Sequence, residues 1–340
     1  VSTTNTVIDS EGSDHLTESP TPRYFGREKS RTRSDKAFSG SIVVAALSSL
    51  FILVAILFYL ASSSWPALQK EGFSFITGST WIGGLDDPSQ QVFQIWPMLY
   101  GSFLNALLAI IFAVPISVLL AIFMVFIAPK KISRVLTIIV DVLAAIPSGI
   151  IGIWGFLVFT PVAEGWARLI HQYLGSIPIF VNNQDQFTRS PFITAWVLGI
   201  MIVPIITVVA REVLAQTPQD LLDAARGLGG SLWGTVRMVA LPHARGGIVG
   251  GVMLGLGRAL GETVAIYFVL NLIFERVNYY KILDPEGGSV ASMIIAKFGE
   301  ATPEEIQALL GAGLVLFLLT LIVNLIANWI VARSARERMV

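Results

Sequence analysis

The sequence predicts an all-α polytopic membrane protein with six spanning helices. Three observations predict it. Hydrophobic residues make up 54% of the 340-residue chain and charged residues only 14%, against roughly 25% charged in a soluble domain. Mean hydropathy is +0.71. Six apolar runs each reach the roughly 20 residues that a helix needs to cross a bilayer. The chain has no cysteine, which excludes disulfides, thiol chemistry and cysteine metal sites. Its histidines, His15, His171 and His243, are far apart in sequence and argue against a zinc site.

Residues 1–39 are polar and rich in Ser and Thr. They are acidic early (Asp9, Glu11, Asp14, Glu18) and basic later (Arg23 to Lys36). This composition cannot bury a core and is expected to be a disordered tail that becomes basic at the membrane. The apolar run after it is too long for a cleavable signal. Residues 40–340 are then one transmembrane domain. The first span is expected over Gly40–Ser64. The second, Met98–Ile127, lies in the charge-free stretch Pro88–Pro129. The third, Val135–Phe159, carries Asp141. The fourth is Ser190–Ala210, the fifth Gly246–Ile273 with Arg258 and Glu262, and the sixth Ile306–Ala332.

Six spans put both termini on one side. Sixteen lysines and arginines fall on the side of the N-terminus and six on the other, so the positive-inside rule predicts both termini in the cytoplasm. On the opposite side, Val162–Gly175 has Trp166, Leu169, Ile170, Tyr173 and Leu174 on one helical face and Arg168, His171 and Gln172 on the other. That spacing predicts a helix lying at the outer interface or against a partner.

The long inner loop, about residues 211–245, carries the most specific motif. Asp223-Ala224-Ala225 is followed by Gly229, and then after nine residues by Val239-Ala-Leu241-Pro242. Thr217-Pro218-Gln219-Asp220 reads as an N-cap, a proline at the first helical position and an acid at the third. Leu221, Leu222, Ala225 and Leu228 form an apolar stripe. Gly227, Gly229 and Gly230 can end the helix in a left-handed cap, and Ser231 can cap a second short helix ending before Pro242. The result is a compact knob. No G-x-x-x-x-G-K-S/T loop occurs, so any ATPase that this chain works with is a separate polypeptide.

The fifth span holds the costliest residues. A charge at mid-membrane costs about 2.5–3.5 kcal/mol on insertion scales. Arg258 comes about ten residues past the start of the fifth helix, about 15 Å in, near the bilayer centre. Arg258 and Glu262 are four apart and are expected on one helix face. A guanidinium is a permanent charge with a donor fork suited to phosphate. Gly247, Gly251 and Gly255 are four apart and suit close helix packing. In the third span, Ile146-Pro147-Ser148-Gly149 predicts a kink with freed carbonyls. Asp141 is expected to join a structural network or to pair with Arg258.

The D-A-A loop resembles the cytoplasmic signature of importer-type ABC permeases, with Asp for the usual Glu and Val for the usual Ile. Gly257-Arg-Ala-Leu-Gly-Glu-Thr263 and Ile146-Pro-Ser-Gly149 sharpen this to the PstC family, one of the two permeases of the high-affinity phosphate ABC importer. The resemblance covers nearly all of the chain after residue 40; the tail is longer than the family would suggest. It implies a type I ABC importer permease fold in the bacterial inner membrane. It also implies a heterodimer with a PstA-like permease, a PstB-like ATPase dimer that uses ATP and Mg, and a PstS-like phosphate-binding protein. This chain itself would bind no cofactor and no nucleic acid. The implied roles are phosphate passage for Arg258, Glu262 and Thr263, with Asp141, Pro147 and Ser148 near the pathway. Coupling to the ATPase falls to Asp223, Ala224, Ala225, Gly229, Leu241 and Pro242. The transport cycle would be alternating access.

Three other readings use the same residues. One is a permease for another oxyanion, sulfate or phosphonate. Another is an ion-coupled carrier using Glu262 and Asp141, although the inverted repeats common in such carriers are not visible. The third is a sensor arm that reports phosphate status. A membrane enzyme finds no nucleophile–base pair or metal cluster to support it.

Overall fold

The computed structural model describes residues 33–336, apart from 86 and 88. The predicted tail, residues 1–39, lies almost wholly outside them. The described chain divides into two units after Ala55. The first is the N-terminal part of helix α1 (Arg33–Glu71). Its apolar side chains, such as Leu47, Phe51 and Ile52, are exposed, as suits a helix solvated by lipid.

The second unit begins with the rest of α1. A short helix α2 (Ser74–Thr77) and a two-stranded antiparallel ribbon, β1 (Trp81–Ile82) and β2 (Val92–Phe93), follow. Helix α3 (Trp96–Ile122) runs on through a π turn at Phe123–Ile127. Next come α4 (Lys130–Ala145), α5 (Ser148–Trp154), a second π turn (Gly155–Phe159) and α6 (Thr160–Leu174). The central helix is α7 (Pro191–Ala215), with the Ser190 side chain accepting from Ile193 N. Then follow α8 (Gln219–Gly227), α9 (Leu232–Thr235), a third π turn (Val236–Ala240) and α10 (Leu241–Leu260). Helices α11 (Val264–Val269), α12 (Val290–Lys297) and α13 (Pro303–Arg336) complete the chain.

Among the described residues, six helical segments are long and apolar enough to cross a membrane: Ala37–Glu71, Trp96–Ile127, Ser148–Leu174, Pro191–Ala215, Leu232–Leu260 and Pro303–Ala327. The six-span expectation holds, with two corrections. The third span is not Val135–Phe159. Pro147 cannot donate a backbone bond and biases Ile146 to extended backbone (φ −65°, ψ 129°), so the chain breaks there and the span starts at Ser148. Val162–Gly175 is consequently no separate interfacial helix. It is the end of that span, and its buried face is Ala163 and Ala167 rather than the aromatic side. The fifth span ends at Leu260 instead of Ile273 and starts earlier, at Leu232. No stop precedes Pro242, because the π turn before it opens the helix around the proline.

The core is built on α7, which packs against α3 and α10. Phe112 stacks on Trp196 with ring centroids 4.6 Å apart. The glycine stripe of α10 does what its spacing suggests. Gly247 abuts Val213, Gly251 abuts Val209, and Gly255 abuts Ile206 and Ile202, so that a Cβ at Gly255 would come within 2.9 Å of Ile206. This antiparallel register places Arg258 about level with Ile202, the midpoint of α7.

The two ends of α7 are about 37 Å apart at 1.5 Å per residue. One end carries the α8–α9 loop. At the other, Asn271 N donates to Arg189 O (3.0 Å) and Phe192 N to Ile282 O (2.9 Å). A polar groove of about 470 Å³ opens there, lined among others by Arg276, Tyr279, Lys281, Asp284 and Glu286.

Candidate functional site

The site grows out of a break in the backbone. Helix α10 stops at Leu260, with Gly261 at φ −89°, ψ 0° and Thr263 at φ −111°, ψ −63°. After the three residues Gly261–Thr263, α11 begins at Val264. Irregular backbone at this depth survives only where it is buried in protein or lines a cavity. Gly261 and Thr263 do line one, an apolar groove of about 460 Å³ shared with Ala291, Ile294, Ile295 and Phe298.

Arg258 sits in the last turn of α10, where the negative end of the helix dipole favours a cation. Its Nε is buried and has no hydrogen-bond partner among the described residues. A guanidinium with an unpaired buried N–H keeps the capacity for one more hydrogen bond.

Glu262 departs from the expectation. Arg258 and Glu262 form no ion pair among the described residues, because the helix ends between them and the four-residue spacing no longer shares a face. Glu262 is 7% exposed, and its Oε1 accepts from Ala265 N at 3.3 Å. It caps α11, as an acid at a helix start should. Thr263 bonds locally through Oγ1 to Gly261 O (3.2 Å). Its carbonyl accepts Tyr267 N (3.1 Å) and, from a distant segment, Ser292 Oγ (2.9 Å). Nothing in the sequence signals Ser292, a lone serine 29 residues on; only the fold joins them.

The third-span motif is brought to the same place. The carbonyl of Pro147 accepts Ile150 N at 3.0 Å and so starts α5 at Ser148. A Cβ at Gly149 would then meet Val264 at 3.6 Å, and Gly152 packs on the backbone of Ala265. The starts of α5 and α11 therefore pack against each other. Asp141 is not part of this. It lies exposed on α4 and makes neither a hydrogen bond nor an ion pair among the described residues, so the expected pairing with Arg258 is absent. The kink that displaced the third span leaves Asp141 on the helix before it.

At the loop end of α7, α8 ends in a full left-handed cap. Gly229 has φ +84°, Gly230 N donates to Ala225 O (3.0 Å) and Gly229 N to Arg226 O (2.9 Å). Ser231 Oγ accepts from Gly234 N at 3.1 Å and caps α9. The expected Thr217 cap does not form. Thr217 is buried with its hydroxyl unpaired among the described residues, and Pro218 precedes the first helical residue. Of the apolar stripe only Leu222 is inserted, into a cluster with Leu214, Val236, Ala240 and Ala244. Leu228 is 90% exposed at the tip. Asp223 pairs with Arg226 at 3.4 Å, an exposed contact of little energy. Ala224 is exposed beside it, while Leu241 and Pro242 begin α10 below. The knob is a rigid shape offering an apolar tip.

A helical bundle with a broken, cation-bearing helix at its middle and a compact loop knob at one end defines a membrane permease that works with other subunits. A family model described as a binding-protein-dependent transport system inner membrane component matches residues 113–336. The phosphate transport system permease protein PstC of Haemophilus influenzae is 36% identical over 93% of this chain and 98% of its own length. PstC 2 of Mycobacterium tuberculosis is 35% identical, covering 87% and 91%. The permease fold also matches a chain from a bacterial ABC transporter that imports alginate, with TM-score 0.51 and 17% identity over 87% of this chain and 99% of that one. The chain belongs to the binding-protein-dependent importer permeases and, within them, to the PstC family.

Proposed function

We propose that this chain conducts inorganic phosphate across the membrane as one permease subunit of an ATP-driven importer, by alternating access. The observation that carries the reading is Arg258. It stands in the last turn of α10, level with the middle of α7 and three residues before the Gly261–Thr263 segment that lines a groove, with its buried Nε unpaired among the described residues. A transiting phosphate gains a charge-assisted contact with the guanidinium. Glu262 fixes the break, and Thr263 lines it. One or two such cations, Arg258 and a matching basic group from the partner permease, compensate the anion without holding it.

The partners follow from the same reading. A homologous permease closes the open side of the groove, and a soluble phosphate-binding protein delivers at the end bearing Tyr279 and Lys281. A separate ATPase dimer, which consumes ATP with Mg, receives the α8–α9 knob. Both termini and the knob lie in the cytoplasm of a bacterium, and this chain carries no catalytic step.

The test is radiolabelled phosphate uptake at low external phosphate, in cells lacking this chain and complemented with wild type or Arg258→Ala. Chain abundance and ATPase association are followed in parallel. A charge-assisted bond is worth about 1.5–3 kcal/mol, so the assembled variant should lose at least about tenfold in rate. Equal uptake by both would remove Arg258 from the pathway. If wild type itself restores no phosphate uptake, the substrate is wrong and sulfate is tested next.

A further inference from the structure

Helix α12 is fixed at both ends. At its start, Ser289 Oγ accepts Ser292 N (3.3 Å), and Ser102 Oγ of α3 accepts Val290 N (2.9 Å). Asn105 Nδ2, also of α3, donates to Gly288 O just before it (3.1 Å). At its far end, Lys297 lies 3.9 Å from Glu305 of α13 and 4.9 Å over the ring of Phe274. The Glu305 carboxylate is buried and also accepts the Trp81 indole N–H at 2.8 Å. Eight residues held this way act as a strut between α3 and α13.

One polar side chain of this strut reaches the helix break. Ser292 is fully buried, and its hydroxyl donates to the carbonyl of Thr263 at 2.9 Å. That carbonyl already has a partner in Tyr267 N. A second donor is therefore not required to satisfy it; what the bond adds is a fixed position for the Gly261–Thr263 segment relative to the strut. Ala291 and Ile294, either side of Ser292, line the same groove as Gly261 and Thr263.

We infer that Ser292 is a positioning residue for the anion pathway. It ties the broken segment beside Arg258 to α12, so that the guanidinium and the break keep one geometry while an anion passes. The inference rests on the pathway reading of Arg258. Ser292 touches no anion itself.

The experiment uses the whole importer, with partner permease, ATPase and binding protein, in proteoliposomes. The quantity read is radiolabelled phosphate moved per ATP hydrolysed. A merely structural defect lowers the amount of active complex and leaves this ratio alone. In Ser292→Ala the ratio is expected to fall roughly fivefold, the size of one neutral hydrogen bond in a barrier. Arg258→Ala is run beside it and should lose the ratio more severely. An unchanged ratio in Ser292→Ala, with Arg258→Ala impaired, overturns the positioning role and spares the pathway. An unchanged ratio in Arg258→Ala overturns the pathway reading itself. Should too little Ser292→Ala assemble, Ser292→Cys, close in size and a weaker donor, is measured and judged by the same ratio.

Discussion

Glu262 shows how a residue can be singled out by its cost and assigned the wrong neighbour. Its position in an apolar run marks it as costly from the sequence alone. The pairing with Arg258 rested on an unbroken helix, and the break at Gly261 removes that geometry. What the carboxylate does instead is accept Ala265 N. An amide oxygen can do the same. Glu262→Gln should therefore keep most of the uptake rate, whereas Glu262→Leu leaves the α11 start uncapped, at a cost of about 1 kcal/mol, and should transport several-fold less. Uptake normalised to membrane abundance distinguishes them. If Gln is as poor as Leu, the negative charge itself is used, most simply to moderate Arg258 through space. The break was not legible because Gly255, Gly257 and Gly261 fit two patterns at once. Gly255 is a packing glycine against Ile206, while Gly257 and Gly261 would have placed a Cβ near no other helix.

Elements were legible where one local cause decided them. The start of α3 follows from Pro97, the start of α7 from Pro191 and the Ser190 cap, and the α8–α9 knob from its glycines and Ser231. Where a cause lay elsewhere in the chain, the reading slipped. The Pro147 kink was visible, but that the span restarts beyond it depends on α5 packing against α11 through Gly152 and Ala265. The knob supplies a prediction at this scale. Its inward residue, Leu222, holds it to the bundle, and its outward residue, Leu228, projects from the tip. Leu228→Asp leaves the fold intact, since nothing in the bundle surrounds that side chain, but it places a charge where the ATPase would close over an apolar group. Membrane abundance should stay at the wild-type level while the ATPase recovered with the purified chain falls at least about tenfold, in keeping with a desolvated charge at an interface. Gly229→Ala attacks the same knob from within, by straining a backbone at φ +84° by about 1–2 kcal/mol, and should weaken recovery less. Full recovery in Leu228→Asp would mean that another surface carries the ATPase.

At the scale of the molecule, the bundle separates two unlike ends. The α8–α9 knob stands at the Ala215 end of α7, and the groove with Tyr279, Tyr280 and Lys281 at the Pro191 end, about 37 Å away. The corrected spans take in Lys70, Arg168, Arg211, Arg237 and Arg245, but the basic residues left outside them still fall mostly on one side. Lys130, Lys131 and Arg134 stay at the knob end, where Ser133 Oγ bonds Met124 O (2.9 Å) and Arg211 bonds Thr137 (2.8 Å). The excess of positive charge therefore predicts the knob inside and the groove outside. Because the chain has no cysteine, single substitutions can report this without removing native thiols. Leu228→Cys and Tyr280→Cys both replace exposed side chains. A membrane-impermeant maleimide should label Leu228→Cys only in inside-out vesicles and Tyr280→Cys only in right-side-out ones. The reverse pattern would put the knob beyond the reach of any cytoplasmic ATPase and sink the coupling assignment, whatever the uptake assays gave. Labelling of both from one side would mean that α7 does not carry its ends across the bilayer. The expected pattern fixes which mouth of the broken helix faces the incoming anion. Arg258, about level with Ile202 near the middle of α7, would then stand midway between the inner knob and the outer groove.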